Sequence, residues 1–97
     1  MPIAAAVETR ELLLQLQTIL DWLWGWASID TIEYQIIMII RNRAAGMQLT
    51  DEQTALVARI DEALDNDAGH IIMLLDADGI TWPDGHWYLS WRSKHAN

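Results

Sequence analysis

The pattern of apolar positions predicts a long amphipathic helix near the start of the chain, over about residues 5–27. The apolar residues that share one helical face recur at spacings of three and four: Leu12, Leu16, Ile19, Leu23 and Trp26. Adjacent apolar residues widen this stripe. A face this broad must be covered by most of the remaining chain or by another molecule.

A second helix is predicted over about residues 30–45. Asp30 and Glu33 have the spacing of a capping box, and Gly46 is placed to end the helix. Residues 36–40 (IIMII) are rich in β-branched side chains, and apolar residues also alternate there, which is typical of a strand. The end signals and the length of the segment favour helix.

A third helix is predicted over about residues 51–65. Thr50 followed three residues later by Gln53 forms a capping box, and the apolar residues that follow define one face. The sequence of residues 65–69 (DNDAG) then breaks the pattern.

The last part of the chain, about residues 71–91, predicts a β-hairpin or a short meander. Residues 82–86 (WPDGH) are a strong turn signal, and the apolar residues beyond it alternate with polar ones: Trp87, Leu89 and Trp91. Residues 70–75 could instead form a short helix capped by Asp67. The expected fold is therefore α+β, a single domain over residues 1–97 with three helices and a C-terminal hairpin.

The charge distribution limits the classes of partner. The chain has a formal net charge of −8 and no cysteine. A protein that binds nucleic acid directly needs clustered bases, which this sequence lacks, whereas an acidic surface can attract a basic protein. Polar residues interrupt the apolar runs and the first residues lack the basic start of a secretion signal, so we expect a cytoplasmic protein with no membrane segment.

Residues 71–79 (IIMLLDADG) form an apolar run that ends in Asp-x-Asp-Gly. This run resembles the first motif of the haloacid dehalogenase superfamily of phosphatases. The resemblance implies that Asp76 is a nucleophile and Asp78 a general acid, with magnesium alongside. Ile80 stands where that motif usually has threonine, and only eighteen residues follow Gly79. A turn rich in aspartate and glycine is the preferred interpretation.

Other candidate chemistry is sparse. A cation site could draw on the acids and histidines of the last third of the chain: His70, Asp76, Asp78, Asp84 and His86. Their spacing matches neither an EF-hand loop nor a zinc site, so we expect solvated turns and no metal. No Ser-His-Asp pattern and no phosphate-binding glycine loop is present, so we expect no catalytic residues, no cofactor and no enzyme activity.

The sequence therefore favours a small acidic module that binds a protein with a basic surface, as an inhibitor or immunity protein does. Trp22 lies off the main stripe of the first helix, and we expect it to be exposed and to anchor a partner. Asp61, Glu62 and Asp65 are the candidate acidic contacts. We also expect the chain to self-associate as a homodimer, because its second helix is apolar nearly all round. The main alternative function is a structural homodimer through the first two helices, with no inhibitory role. Two further alternatives are a nucleic-acid mimic and a metal-dependent phosphatase-like fragment.

Overall fold

The computed structural model describes residues 3–25 and 28–95, with side-chain surroundings from Glu8 onward. This part of the chain forms five helices and contains no strand: α1 (Ile3–Gly25), α2 (Thr31–Ala45), α3 (Asp51–Asn66), α4 (Ala68–Ala77) and α5 (Trp87–His95). The three predicted helices are present. The predicted α+β class is wrong, because residues 71–91 form most of α4, a connecting segment and the first half of α5 instead of a hairpin.

The α1 stripe forms one wall of the core. Leu12, Leu16 and Ile19 are fully buried, as their spacing predicts, and α1 packs against both α2 and α3. Leu23 is partly buried against the same core. Trp26, the last member of the predicted stripe, lies outside the described residues.

The predicted capping box at the start of α3 is confirmed. The Gln53 backbone N–H donates to Thr50 Oγ1 at 3.2 Å, and the Thr50 N–H donates to Gln53 Oε1 at 2.9 Å. Gln53 is nevertheless buried, because its side-chain amide also donates to the Thr9 carbonyl oxygen at 2.9 Å. One side chain therefore begins α3 and fixes that end of the helix against α1.

The second segment is helical, as its end signals predict, despite its β-branched run. Gly46 ends α2. Asp30 is the residue before the helix, but within the described residues its side chain makes no capping hydrogen bond, so the predicted capping box with Glu33 is not formed. The inner face of α2 packs against α1, α4 and α5. These tertiary contacts outweigh the weak helix propensity of the isoleucines.

The Asp-Ala-Asp-Gly sequence ends a helix instead of turning a hairpin. The Gly79 N–H donates to the Asp76 carbonyl at 3.0 Å, and the Ile80 N–H donates to the Leu75 carbonyl at 3.1 Å. Together with φ of 68° at Gly79, these bonds form a Schellman motif. The alternative that residues 70–75 form a short helix is therefore correct, although the Asp67 side chain makes no capping bond within the described residues.

The turn predicted within residues 82–86 is present, but a helix follows it. The His86 N–H donates to the Pro83 carbonyl at 3.1 Å, and Gly85 has φ of 82°. Tyr88, expected to face outward on a strand, is buried, whereas Leu89, expected to face inward, is 37 % exposed. The aromatic residues therefore follow a helical spacing, and α5 uses them to cover α2 and α4.

No helix among the described residues combines the length and the apolar character needed to cross a membrane.

Candidate protein-binding surface

The outer face of α2 carries an exposed row of isoleucines. Ile32 is 68 % exposed, Ile36 37 % and Ile39 56 %. Their spacings of four and three residues place them in one line along the helix. We call this row the α2 stripe. Single exposed apolar residues are common on protein surfaces, but an aligned row of three is typical of a contact surface.

The α2 stripe lies opposite the face that α2 gives to the core. Tyr34, Ile37 and Met38 are buried, and at 100° per residue they point away from the stripe. The helix is therefore apolar on both sides, although it needs only one of them to hold its place in the fold. A helix that is apolar all round is normally covered on all sides.

Charged residues frame the two ends of the α2 stripe. Asp30 and Glu33 lie at the start of α2, and Arg43 continues the line of the stripe near its end. The Arg43 guanidinium donates to Gln15 Oε1 at 3.1 Å and lies 3.6 Å from Glu11 on α1. These contacts hold Arg43 at the outer junction of α1 and α2, with about a third of its side chain still exposed.

The predicted contact residue Asp61 forms an ion pair within the chain. The Arg41 guanidinium donates to both carboxylate oxygens of Asp61, at 2.7 and 3.0 Å. The Cζ atom of Arg41 also lies 4.4 Å from the ring centre of Trp87, a cation–π contact. Asp61 therefore links α3 to α2, and through Arg41 to α5.

Asp65 has a similar internal role. Its Oδ1 atom accepts a hydrogen bond from Trp91 Nε1 at 2.9 Å and lies 3.0 Å from His95 Nε2. These groups line one cavity of about 140 Å³ together with Arg41 and Asp61. Asp61 and Asp65 thus belong to one polar cluster that attaches α5, although half of the Asp65 side chain remains exposed.

Of the other predicted contact residues, Glu62 is exposed on α3, while Trp22 is partly buried and packs against the core. The expectation that Trp22 is exposed is wrong. The exposed tryptophan of the described part of α1 is Trp24, at 54 %. The α2 stripe was not predicted as a separate row, because the spacing visible in the sequence does not show which side of a helix that is apolar nearly all round faces the core.

The Asp76–Asp78 segment does not have the arrangement that a phosphatase motif requires. Asp76 lies in the last turn of α4 and not at the end of a strand, and its Oδ2 atom accepts a hydrogen bond from Arg92 at 2.6 Å. This bond raises the pKa of the Arg92 guanidinium. Within the described residues no three acids, histidines or cysteines lie close enough together to hold a metal ion.

His86 connects the Pro-Asp-Gly turn to α5. Its Nδ1 atom accepts a hydrogen bond from the Tyr88 N–H at 3.0 Å, while Asn42 Oδ1 accepts one from the Trp87 N–H at 2.8 Å. Both bonds satisfy amides of the first turn of α5. Partial burial lowers the pKa of His86, so the fold favours the neutral imidazole that can accept this bond.

Replacement of His86 with asparagine is expected to flatten the pH dependence of stability. Because the pKa of His86 is lower in the folded chain, its stabilising contribution is complete above about pH 6.5 and is lost as the pH falls below that value. Asparagine can keep an acceptor near the Tyr88 N–H without titrating. We expect the free energy of unfolding, measured with urea at intervals from pH 7.5 to 5.5, to fall less for His86→Asn than for the unmodified chain. Equal losses would contradict this role.

Comparison of the chain with protein-family models, with curated protein sequences and with solved structures found no match.

Proposed function

We propose that the chain is a non-enzymatic protein-binding module that docks through the outer face of α2. The observation that carries this proposal is the α2 stripe, which leaves three aligned isoleucines exposed to 68, 37 and 56 %. Ile32 and Ile39 are more than half exposed, while the buried residues of α2, among them Ile37 and Met38, attach the helix to its neighbours.

The α2 stripe contributes free energy to binding when a partner covers its isoleucines. Full burial of an isoleucine side chain is worth about 1.5–3 kcal/mol, and these three are only partly covered in the single chain. Each therefore offers a partner on the order of 1 kcal/mol. That amount can make the row the energetic centre of an interface, with the charged residues at its ends forming the rim.

Replacement of Ile39 with serine is expected to weaken partner binding by about 1–2 kcal/mol, a factor of about 5–30, without unfolding the chain. The measurement is quantitative co-purification of tagged chain from its native cells. Met73→Ser is the matched control, since Met73 is an exposed apolar residue on another helix, at 61 %. Equal recovery of bound protein with both variants would contradict the role of the stripe.

A second candidate is the inhibitor-like module that occupies a basic surface of another protein. The net charge of −8 supports it, as does the internal pairing of three of the six bases: Arg41 with Asp61, Arg43 with Glu11, and Arg92 with Asp76. Exposed acids such as Glu62 are then left to attract a basic partner. The same excess of acid disfavours direct binding to nucleic acid.

A further inference from the structure

We infer that the occupant of the α2 stripe is a second copy of the chain, with the two α2 helices packed antiparallel. This inference rests on the proposed function and names the partner for the same surface. Three properties of α2 carry it: the spacing of the stripe, the order of charges along the helix, and the size of the exposed row.

The stripe has the spacing of a coiled-coil seam. Ile32, Ile36, Ile39 and Arg43 follow one another at intervals of four, three and four residues, which is the alternation of a and d positions. The stem of an arginine can lie along an apolar seam while its guanidinium reaches the edge. A second helix with the same spacing fits such a row, and α2 of another copy has it by definition.

The order of charges along α2 selects the antiparallel arrangement. Acidic residues lie at the start of the helix, where Glu33 flanks the seam beside Ile32, and Arg43 lies near the end. In an antiparallel pair, Arg43 of each copy comes beside Ile32 and Glu33 of the other. A parallel pair would instead place Arg43 against Arg43 and would leave Glu33 beside no base of the other copy. Such rim charges contribute little affinity, but they decide orientation.

The size of the row indicates a weak, reversible pair. Three partly exposed isoleucines correspond to the lower end of the ~300–600 Å² that the largest apolar patches on single chains reach. A standard stable interface buries about 800 Å² on each partner. We therefore expect self-association that depends on concentration, with monomer dominant at low concentration.

The first test is sedimentation equilibrium at 0.15 M salt over a wide range of chain concentration. The unmodified chain should show a monomer–dimer equilibrium. Glu33→Arg should weaken it about fivefold or more, since it places two like-charge contacts with Arg43 in the symmetric pair. Arg43→Glu should weaken it as well, with part of its effect coming from the loss of the Arg43–Glu11 contact within each chain. The double variant should restore it to within about twofold. A chain that stays monomeric throughout, or a double variant no better than the singles, would overturn the inference.

The second test determines whether the two α2 helices pack antiparallel or parallel, and it does not depend on the charge variants. Because the chain has no cysteine, Ile36→Cys and Ile39→Cys chains can be mixed, with tags of different mass, and oxidised. An antiparallel seam places Ile36 beside Ile39 of the other copy, so the mixed disulfide should make up well over the half of all disulfides that random pairing of equal amounts would give. A mixed share of half or less, or yields no higher than with Met73→Cys, would refute the antiparallel pair.

The two proposals can fail separately. If the unmodified chain stays monomeric but Ile39→Ser still loses co-purified protein, the stripe binds a different protein and only the second copy is excluded. If Ile39→Ser changes neither self-association nor co-purification, the α2 stripe is not a binding surface and both proposals fall.

Discussion

Replacement of Trp91 with alanine is expected to lower the free energy of unfolding by about 3–5 kcal/mol. Trp91 is only 4 % exposed, its indole N–H donates to Asp65, and its ring packs against those of Trp87, Tyr88 and His95. The variant loses this buried area and leaves a cavity between α5 and the rest of the core. Urea unfolding followed by circular dichroism measures the difference in the free energy of unfolding between Trp91→Ala and the unmodified chain.

The matched control is Trp24→Ala, which removes the same side chain from an exposed position on α1. Because surface substitutions usually stay within about 0.5 kcal/mol, we expect a small change for this variant. A loss for Trp91→Ala no larger than the loss for Trp24→Ala would contradict the description of α5 as part of the core.

Reversal of charge at Asp61 is expected to cost about 2–3 kcal/mol of stability. The Arg41 side chain is only 11 % exposed and loses both of its hydrogen bonds to the carboxylate, while the new lysine places a like charge beside it. Partial exposure of Asp61 to water reduces the cost below that of a fully buried pair. Urea unfolding of Asp61→Lys and of the unmodified chain measures this loss of stability.

Glu62→Lys is the matched control, because it makes the same change on the next residue, which is exposed. We expect its stability to stay within about 0.5 kcal/mol of the unmodified chain. This also makes Glu62→Lys the clean variant for testing attraction to a basic partner. It should slow association at low ionic strength, and the effect should shrink near 0.15 M salt, where the Debye length is about 8 Å. Equal destabilisation by both lysines would show that the Arg41 pair contributes nothing.

The helices could be predicted where the sequence pattern had a single interpretation or, as in α2, where end signals decided between two. The capping box of Thr50 and Gln53 identified the start of α3 because its two hydrogen bonds are local. The C-terminal part was ambiguous for a physical reason. Alternation over five residues from Trp87 to Trp91 also places residues four apart on one helical face. The Asp-Gly sequence at residues 78–79 suits a hairpin turn and a Schellman motif equally well, since both use glycine with positive φ.

The candidate site was harder to predict, because a helical pattern shows which residues share a face but not which face is covered. α2 is apolar on two sides, and only its packing against α1, α4 and α5 shows that the Ile32–Ile39 side is the outer one. The acids were likewise visible in the sequence, but the pairing of Asp61 with Arg41 joins residues 20 positions apart. Charge alone could not separate structural acids from free ones.

Photo-crosslinking from the centre of the α2 stripe tests its role as a protein-binding surface most directly. A photoreactive amino acid at position 39, introduced in the native cells, should give an adduct with protein on irradiation. The adduct has twice the 11.1 kDa mass if the partner is a second copy, and another mass if the partner is a different protein. The same amino acid at position 73, which is equally exposed, should give little adduct. Adducts of equal yield at the two positions, or none at position 39, would contradict the assignment of α2 as the binding surface.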